Sequence, residues 1–234
     1  MIAYNNKEHH VKSYKKRRLP LNSIENLKTG FKNFRNDAFE GKSELWENFV
    51  ENGQDPKIAV VACSDSRVDP AIMMNADAGE IFVIRNVANL VPPYDENEGY
   101  HGTSAALEYA VQHLNVEHII VLGHAYCGGI NSLFGPRKVG VEGHFFIPPW
   151  MSIAEPAYRR VRATMPDASE AEQARACEKG AVMVSLENLM TFACVRKKVY
   201  KSELRLHGWY VDIKAGTLSC YNPNSNQFEI DGDT

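Results

Sequence analysis

The chain is 234 residues long, with 26 Lys and Arg against 29 Asp and Glu, a net charge of −3. That balance excludes a general nucleic-acid surface, or one built for anionic membranes, because it supplies no electrostatic attraction for either. Hydrophobic residues at 44% and charged residues at 24% form the ordinary globular mixture, which excludes disordered, collagen-like and disulfide-dense classes.

Apolar runs such as Ile58 to Cys63 and Ile119 to Leu122 fall far short of the ~18 residues a membrane helix needs. The N-terminus carries no apolar stretch of the kind a signal peptide requires, so none is read. Five cysteines, an odd number scattered over the chain, do not form a secreted disulfide framework. A reducing, cytoplasmic setting is therefore expected, where thiols serve as ligands, nucleophiles or core residues.

In chain order, Lys15, Lys16, Arg17 and Arg18 precede Pro20, and residues 1–20 read as a basic, solvated, flexible arm. Residues 21–234 read as a single α/β domain. From Asn22 or Ser23 a helix is predicted, with Ile24, Leu27, Phe31, Phe34 and Ala38 spaced by three and four, and a stripe so apolar needs a surface to lie on. Lys57 to Ala62, Glu80 to Ile84 and Glu117 to Leu122 are near-continuous apolar runs, as expected of strands buried on both faces of a parallel sheet. A helix at Thr103 to Leu114 presents Leu107, Ala110, Val111 and Leu114 on one face. Gly135 to Pro149 reads as a loop. A long helix begins near Ser169 and carries Val182, Leu186, Leu189 and Ala193. Gly208 to Ile213 and Thr217 to Tyr221 read as a hairpin. The pattern predicts an α/β fold: a central, mostly parallel β-sheet flanked by helices, with an N-terminal helical arm.

Cys63 ends the first predicted strand, His124 ends the third, and Cys127 follows within Gly123-His124-Ala125-Tyr126-Cys127-Gly128-Gly129. Side chains at the carboxyl ends of parallel strands converge on the crevice where ligands bind. Two thiolates and an imidazole meeting there would make a zinc site with its fourth position open, the arrangement of a catalytic ion. The competing reading makes these cysteines small buried hydrophobes. Directly after Cys63, Asp65 and Arg67 stand two residues apart, the spacing of a bidentate carboxylate–guanidinium pair.

Ala62-Cys63-Ser64-Asp65-Ser66-Arg67-Val68, then Arg85-Asn86-Val87-Ala88-Asn89, then Gly123-His124-x-x-Cys127-Gly128-Gly129 resemble the β-class carbonic anhydrases in order and spacing. The resemblance implies reversible hydration of CO₂ to bicarbonate and a proton by a zinc-bound hydroxide, with Zn²⁺ on Cys63, His124 and Cys127. It implies Asp65 and Arg67 as the catalytic dyad. It also implies Gln54 and the Gly128 N–H as donors to substrate, with Phe82, Val87 and Tyr109 as pocket walls. Tyr109 lies opposite the apolar stripe of its helix, which suits a family dimer in which one subunit's helix lines the other's site. A homodimer or homotetramer is expected, with CO₂ and bicarbonate as small-molecule partners and neither nucleic acid nor membrane.

Two departures bear on the family's bicarbonate-inhibited subgroup. Val60 stands where that subgroup has Trp, and its late Tyr has no clear match, with Val211 at the aligned place and Tyr210 one place earlier. Only Arg85 of the trio remains, so the resemblance points to the plant-like, open-site form, in which Asp65 does not coordinate zinc. Residue 125 is Ala where many members carry a small hydroxyl residue.

Three rival readings are weaker or narrower. A cysteine-based phosphatase needs five residues between Cys and Arg where three stand here, and Asp69 would repel phosphate. COS or CS₂ would suit the same chemistry as CO₂. A structural zinc module would require a fourth protein ligand. Cys177, Cys194 and Cys220 lack His neighbours at ligand spacing and read as ordinary thiols, and His144 reads as a solvated loop residue.

Overall fold

The computed structural model describes residues 23–36, 43–97, 99–135 and 145–232, which group into two compact units, one ending at Gly53 and one beginning at Gln54. The basic arm, Ala38 and His144 lie outside the described residues.

The first unit holds helices α1 (Ser23–Phe34) and α2 (Ser43–Asn52). α1 starts where its apolar spacing predicts. Its stripe is open to solvent, with Ile24 60%, Leu27 71% and Phe31 64% exposed.

The second unit is built on a six-stranded sheet of order β2-β1-β3-β4-β5-β6, formed by β1 (Ile58–Cys63), β2 (Ile81–Asn86), β3 (His118–His124), β4 (Arg205–Asp212), β5 (Thr217–Asn222) and β6 (Gln227–Ile230). The first four strands in that order pair in parallel and the last two antiparallel, the mostly parallel α/β sheet that the sequence pattern predicts. β1 and β3 are buried almost throughout. β2 departs from expectation: its apolar run reads as doubly buried, yet it is the sheet's edge, and only Ile84 is fully covered.

Helices α3 (Pro70–Met73), α4 (Gly102–Glu108), α5 (Gly128–Asn131), α6 (Ile147–Met151), α7 (Glu155–Thr164), α8 (Glu170–Leu189) and α9 (Ala193–Tyr200) complete the unit. α8 begins on a capping box: Ser169 accepts from the Glu172 amide, while Glu172 accepts from the Ser169 amide. Ala193 does not lie on that helix. The chain breaks over 190–192 and Ala193 opens α9. Likewise the stretch ending at Pro149 is not loop throughout, because Pro148 and Pro149 fit the first turn of α6, where no amide donor is needed. The helix after α4's start is α-helical only to Glu108, and Tyr109–His113 continue as a π-helical turn.

The main core lies between the sheet and α4, α8 and α9, with Val61, Leu107, Val111, Ile119, Val121, Val182 and Leu189 inaccessible to solvent. α8 approaches closely because two adjacent strands carry glycine beneath it. A Cβ on Gly123 would stand 2.5 Å from Val182, and one on Gly208 would stand 3.0 Å from Leu186. Gly123 directly precedes His124, so this contact also fixes the depth at which β3 delivers its last residue.

The chain leaves β1 toward β2 on one side, returns across β1 to β3, and continues to β4 on the other side. The carboxyl ends of β1 and β3 therefore form the topological switch point of the sheet, where open α/β folds place their ligands.

Candidate metal centre

Cys63 closes β1 and His124 closes β3 at that switch point. Cys127 follows a turn whose middle residue, Tyr126, has φ +61°, a left-handed conformation costing roughly 1–2 kcal/mol for a side chain other than glycine. The ligand atoms of Cys63, His124 and Cys127 all lie within 4.8 Å of one another, and all three residues are buried.

The donor set fits zinc. The two sulfurs are 4.0 Å apart, close to the ~3.8 Å that tetrahedral coordination at ~2.3 Å per Zn–S bond implies. The Ala125 carbonyl, 2.9 Å from His124 Nδ1, can only accept, so Nδ1 carries the proton. Nε2 is left as a bare lone pair, buried and, among the described residues, without a hydrogen-bond partner. An unsatisfied buried nitrogen costs roughly 1–3 kcal/mol, a cost that coordination removes.

Electrostatics prepare the same set. The Cys127 thiol hydrogen-bonds Cys63, and His124 with the Ala88 amide adds to it, pulling the Cys63 thiol down to about 4 against the opposing effect of burial. That shared proton, together with burial, pushes Cys127 upward. Burial alone disfavours a charged His124, but the facing Cys63 sulfur outweighs it and raises the imidazole. By contrast, burial pushes Cys177 up to about 12, as expected of an inert core thiol.

Beside the cluster, Asp65 and Arg67 form a bidentate pair. Arg67 Nε donates to Oδ1 at 2.9 Å and Nη2 to Oδ2 at 2.6 Å, with the Arg67 backbone N–H also on Oδ1 at 2.9 Å. These bonds hold Asp65 well below the usual carboxylate range. Arg67 Nη2 reaches on to the Tyr126 carbonyl at 3.0 Å, tying the β1 loop to the β3 turn.

A family profile described as carbonic anhydrase matches residues 58–218. Beta carbonic anhydrase 3 of Arabidopsis thaliana is 40% identical over 207 residues, covering 86% of this chain and 78% of that one. This chain belongs to the β-class carbonic anhydrases. As a member it is an enzyme of the carbonate dehydratase type. Among solved structures, the β-carbonic anhydrase CcaA superposes with a TM-score of 0.79 at 30% identity, covering 89% of this chain and 99% of that chain. The β-carbonic anhydrase CafA of Aspergillus fumigatus gives 0.74 at 25% identity, covering 86% and 93%. One of two β-carbonic anhydrases of Sordaria macrospora, described as tetrameric, gives 0.66 at 29%, covering 84% and 92%.

Of the pocket residues expected from the family resemblance, Val87 and Gly128 stand at the centre. Val87 precedes Ala88, whose amide reaches the Cys63 sulfur at 3.4 Å, and Gly128 follows Cys127 at the start of α5. Phe82 and Tyr109 do not join them within one chain. Phe82 is in register with Ala59, four residues back from Cys63 and about 13 Å along the strand. Tyr109, 45% exposed, sits 6.0 Å from Phe82, ring to ring. Gln54 is exposed ahead of β1.

Two anchoring groups are absent from the sequence reading of the site. Arg85 on β2, noted there as part of a motif and as the remaining member of the bicarbonate-inhibited trio, donates to the Cys63 carbonyl at 3.0 Å, the Asp65 carbonyl at 2.7 Å and Asp69 Oδ2 at 2.7 Å, holding the whole β1 loop. Glu178 on α8 accepts the Cys127 amide at 2.9 Å. Its visible signal is an acid inside the stripe Ala174, Cys177, Ala181, Val182, which a buried helix face tolerates only with a partner.

The raised Cys127 thiol keeps a proton that a metal must displace. Apparent Zn²⁺ affinity of the metal-free protein, measured by competition with a chromophoric chelator, is expected to rise steadily from about pH 6 to 9. An affinity that does not change over that range contradicts the geometry.

Proposed function

We propose that this protein catalyses the reversible hydration of carbon dioxide to bicarbonate and a proton, with Cys63, His124 and Cys127 holding a zinc ion. The observation that carries this reading is the convergence of two sulfurs and one bare imidazole nitrogen within 4.8 Å of one another, beside a carboxylate clamped by Arg67. When bound, the ion supplies a Lewis acid that makes a water nucleophilic near neutral pH.

Asp65 orients that water. An ionised carboxylate only accepts hydrogen bonds, so Asp65 takes an O–H and leaves the oxygen lone pair aimed at the carbon of CO₂. Arg67 keeps Asp65 ionised and fixes its plane through two parallel bonds. Both Asp65 oxygens are already engaged by Arg67, and among the described residues the metal-ligand cluster does not include Asp65. Both facts favour the open site over one that Asp65 closes. Val87 and the Gly128 N–H are assigned to the pocket wall and the substrate donor respectively.

Phe82, Tyr109 and Gln54 are assigned to the site of a second copy of the chain. The distance of Phe82 and Tyr109 from Cys63 within one chain supports this, as do the exposure of Tyr109 and the open apolar stripe of α1. A homodimer or homotetramer follows. Among the described residues no helix is long and apolar enough to cross a membrane. A reducing, cytoplasmic compartment suits a site whose two thiols must stay unbridged.

Asp65→Asn is expected to keep its zinc by elemental analysis and to lose about a hundredfold or more in kcat/KM by stopped-flow CO₂ hydration. Activity near wild type would remove Asp65 from the mechanism. Light scattering should give a particle of twice the chain mass or more, and a monomer would sink the shared site.

A further inference from the structure

Glu178 lies on α8 with its side chain 1% exposed. A carboxylate withdrawn this far from water destabilises a fold unless donors match it. Three do. Oε1 accepts from the Cys127 amide at 2.9 Å and from Arg175 Nη2 at 2.7 Å, and Oε2 accepts from the Tyr210 hydroxyl at 2.7 Å. An apolar residue would continue the stripe of Ala174, Cys177, Ala181 and Val182 without needing any of them. Packing of α8 therefore does not explain an acid here.

The network leads instead to the turn between His124 and Cys127. Glu178 holds the Cys127 amide directly. Arg175, aligned by Glu178, places its guanidinium carbon 4.2 Å above the Tyr126 ring. Tyr126 is the left-handed residue of that turn, and its carbonyl accepts from Arg67. One buried carboxylate is thus connected to a metal ligand, to the carbonyl that anchors Arg67, and through Arg67 to Asp65.

The geometry points to Glu178 as a positioning residue for the reaction: through the Cys127 amide and the Arg175–Tyr126 stack, it sets where the Cys127 thiol and the Asp65–Arg67 pair stand relative to each other. The Asp65 half of this role rests on the CO₂-hydration reading above. The Cys127 half does not. Glu178 touches no reacting atom and acts only through these neighbours.

Glu178→Gln keeps the shape but removes the negative charge that faces Arg175 and the Cys127 amide, and it replaces one of the two accepting oxygens with an NH₂ group. In zinc-loaded protein, kcat should fall about tenfold or more at unchanged zinc content. KM should stay within about twofold. In cobalt-substituted protein the thiolate-to-metal charge-transfer bands should shift. In metal-free protein, exchange of the Cys127 amide by NMR should speed up about tenfold or more. Tyr210→Phe, which leaves Glu178 two of its partners, should move all three readouts in the same direction by less.

If Glu178→Gln lowers the melting temperature while kcat, cobalt bands and amide exchange stay at wild type, the role is structural and the proposal is overturned. Should that variant not fold, wild-type cobalt bands and exchange in both Tyr210→Phe and Arg175→Lys overturn it equally. A wild type inactive on CO₂ whose Glu178→Gln variant still shifts the bands would sink the functional reading and support the positioning of Cys127.

Discussion

Two thiols and a bare imidazole nitrogen are buried together with no group among the described residues to satisfy the nitrogen, and the rest of the second unit is arranged around that deficit. A fold does not ordinarily bury such a nitrogen, because it loses its water without compensation. Here the backbone enforces the arrangement. The Ala125 carbonyl turns His124 so that Nε2 faces inward, and a strained Tyr126 brings Cys127 back toward Cys63. The residues thus carry a cost that coordination of an ion would relieve.

Four elements share the work of holding that geometry. β1 and β3 deliver the ligands because the chain reverses direction across the sheet between them. β2 sends Arg85 across to the carbonyls of Cys63 and Asp65, and α8 sends Glu178 to the amide of Cys127. Each half of the site is therefore held through its backbone by a charged side chain from a neighbouring element, and Arg67 joins the halves by bridging Asp65 and the Tyr126 carbonyl.

Much of this is legible in the sequence because it obeys short-range rules. The doubly buried runs of β1 and β3, the apolar spacing of α1 and the start of α8 at Ser169 follow from period and capping. The meeting of Cys63 and His124 follows from their places at strand ends, and Cys127 from its spacing three residues after His124. What is not legible depends on contacts distant along the chain. The edge position of β2 is set by sheet order, which its apolar run does not reveal. β6 is four residues with a single half-buried Phe228 and carries almost no periodic signal. The break before α9 leaves the apolar spacing of Ala193 apparently in phase with α8. Glu178 shows only as an acid out of place, and its partners Cys127 and Tyr210 lie 51 and 32 residues away.

The most direct test of the central claim, an open site that turns over CO₂, is stopped-flow hydration on purified protein of known zinc content. One zinc per chain, with hydration rate proportional to zinc loading, is the expected result. Fully loaded protein that shows no hydration even at about pH 8.5, where a metal-activated water should be nucleophilic, would contradict it.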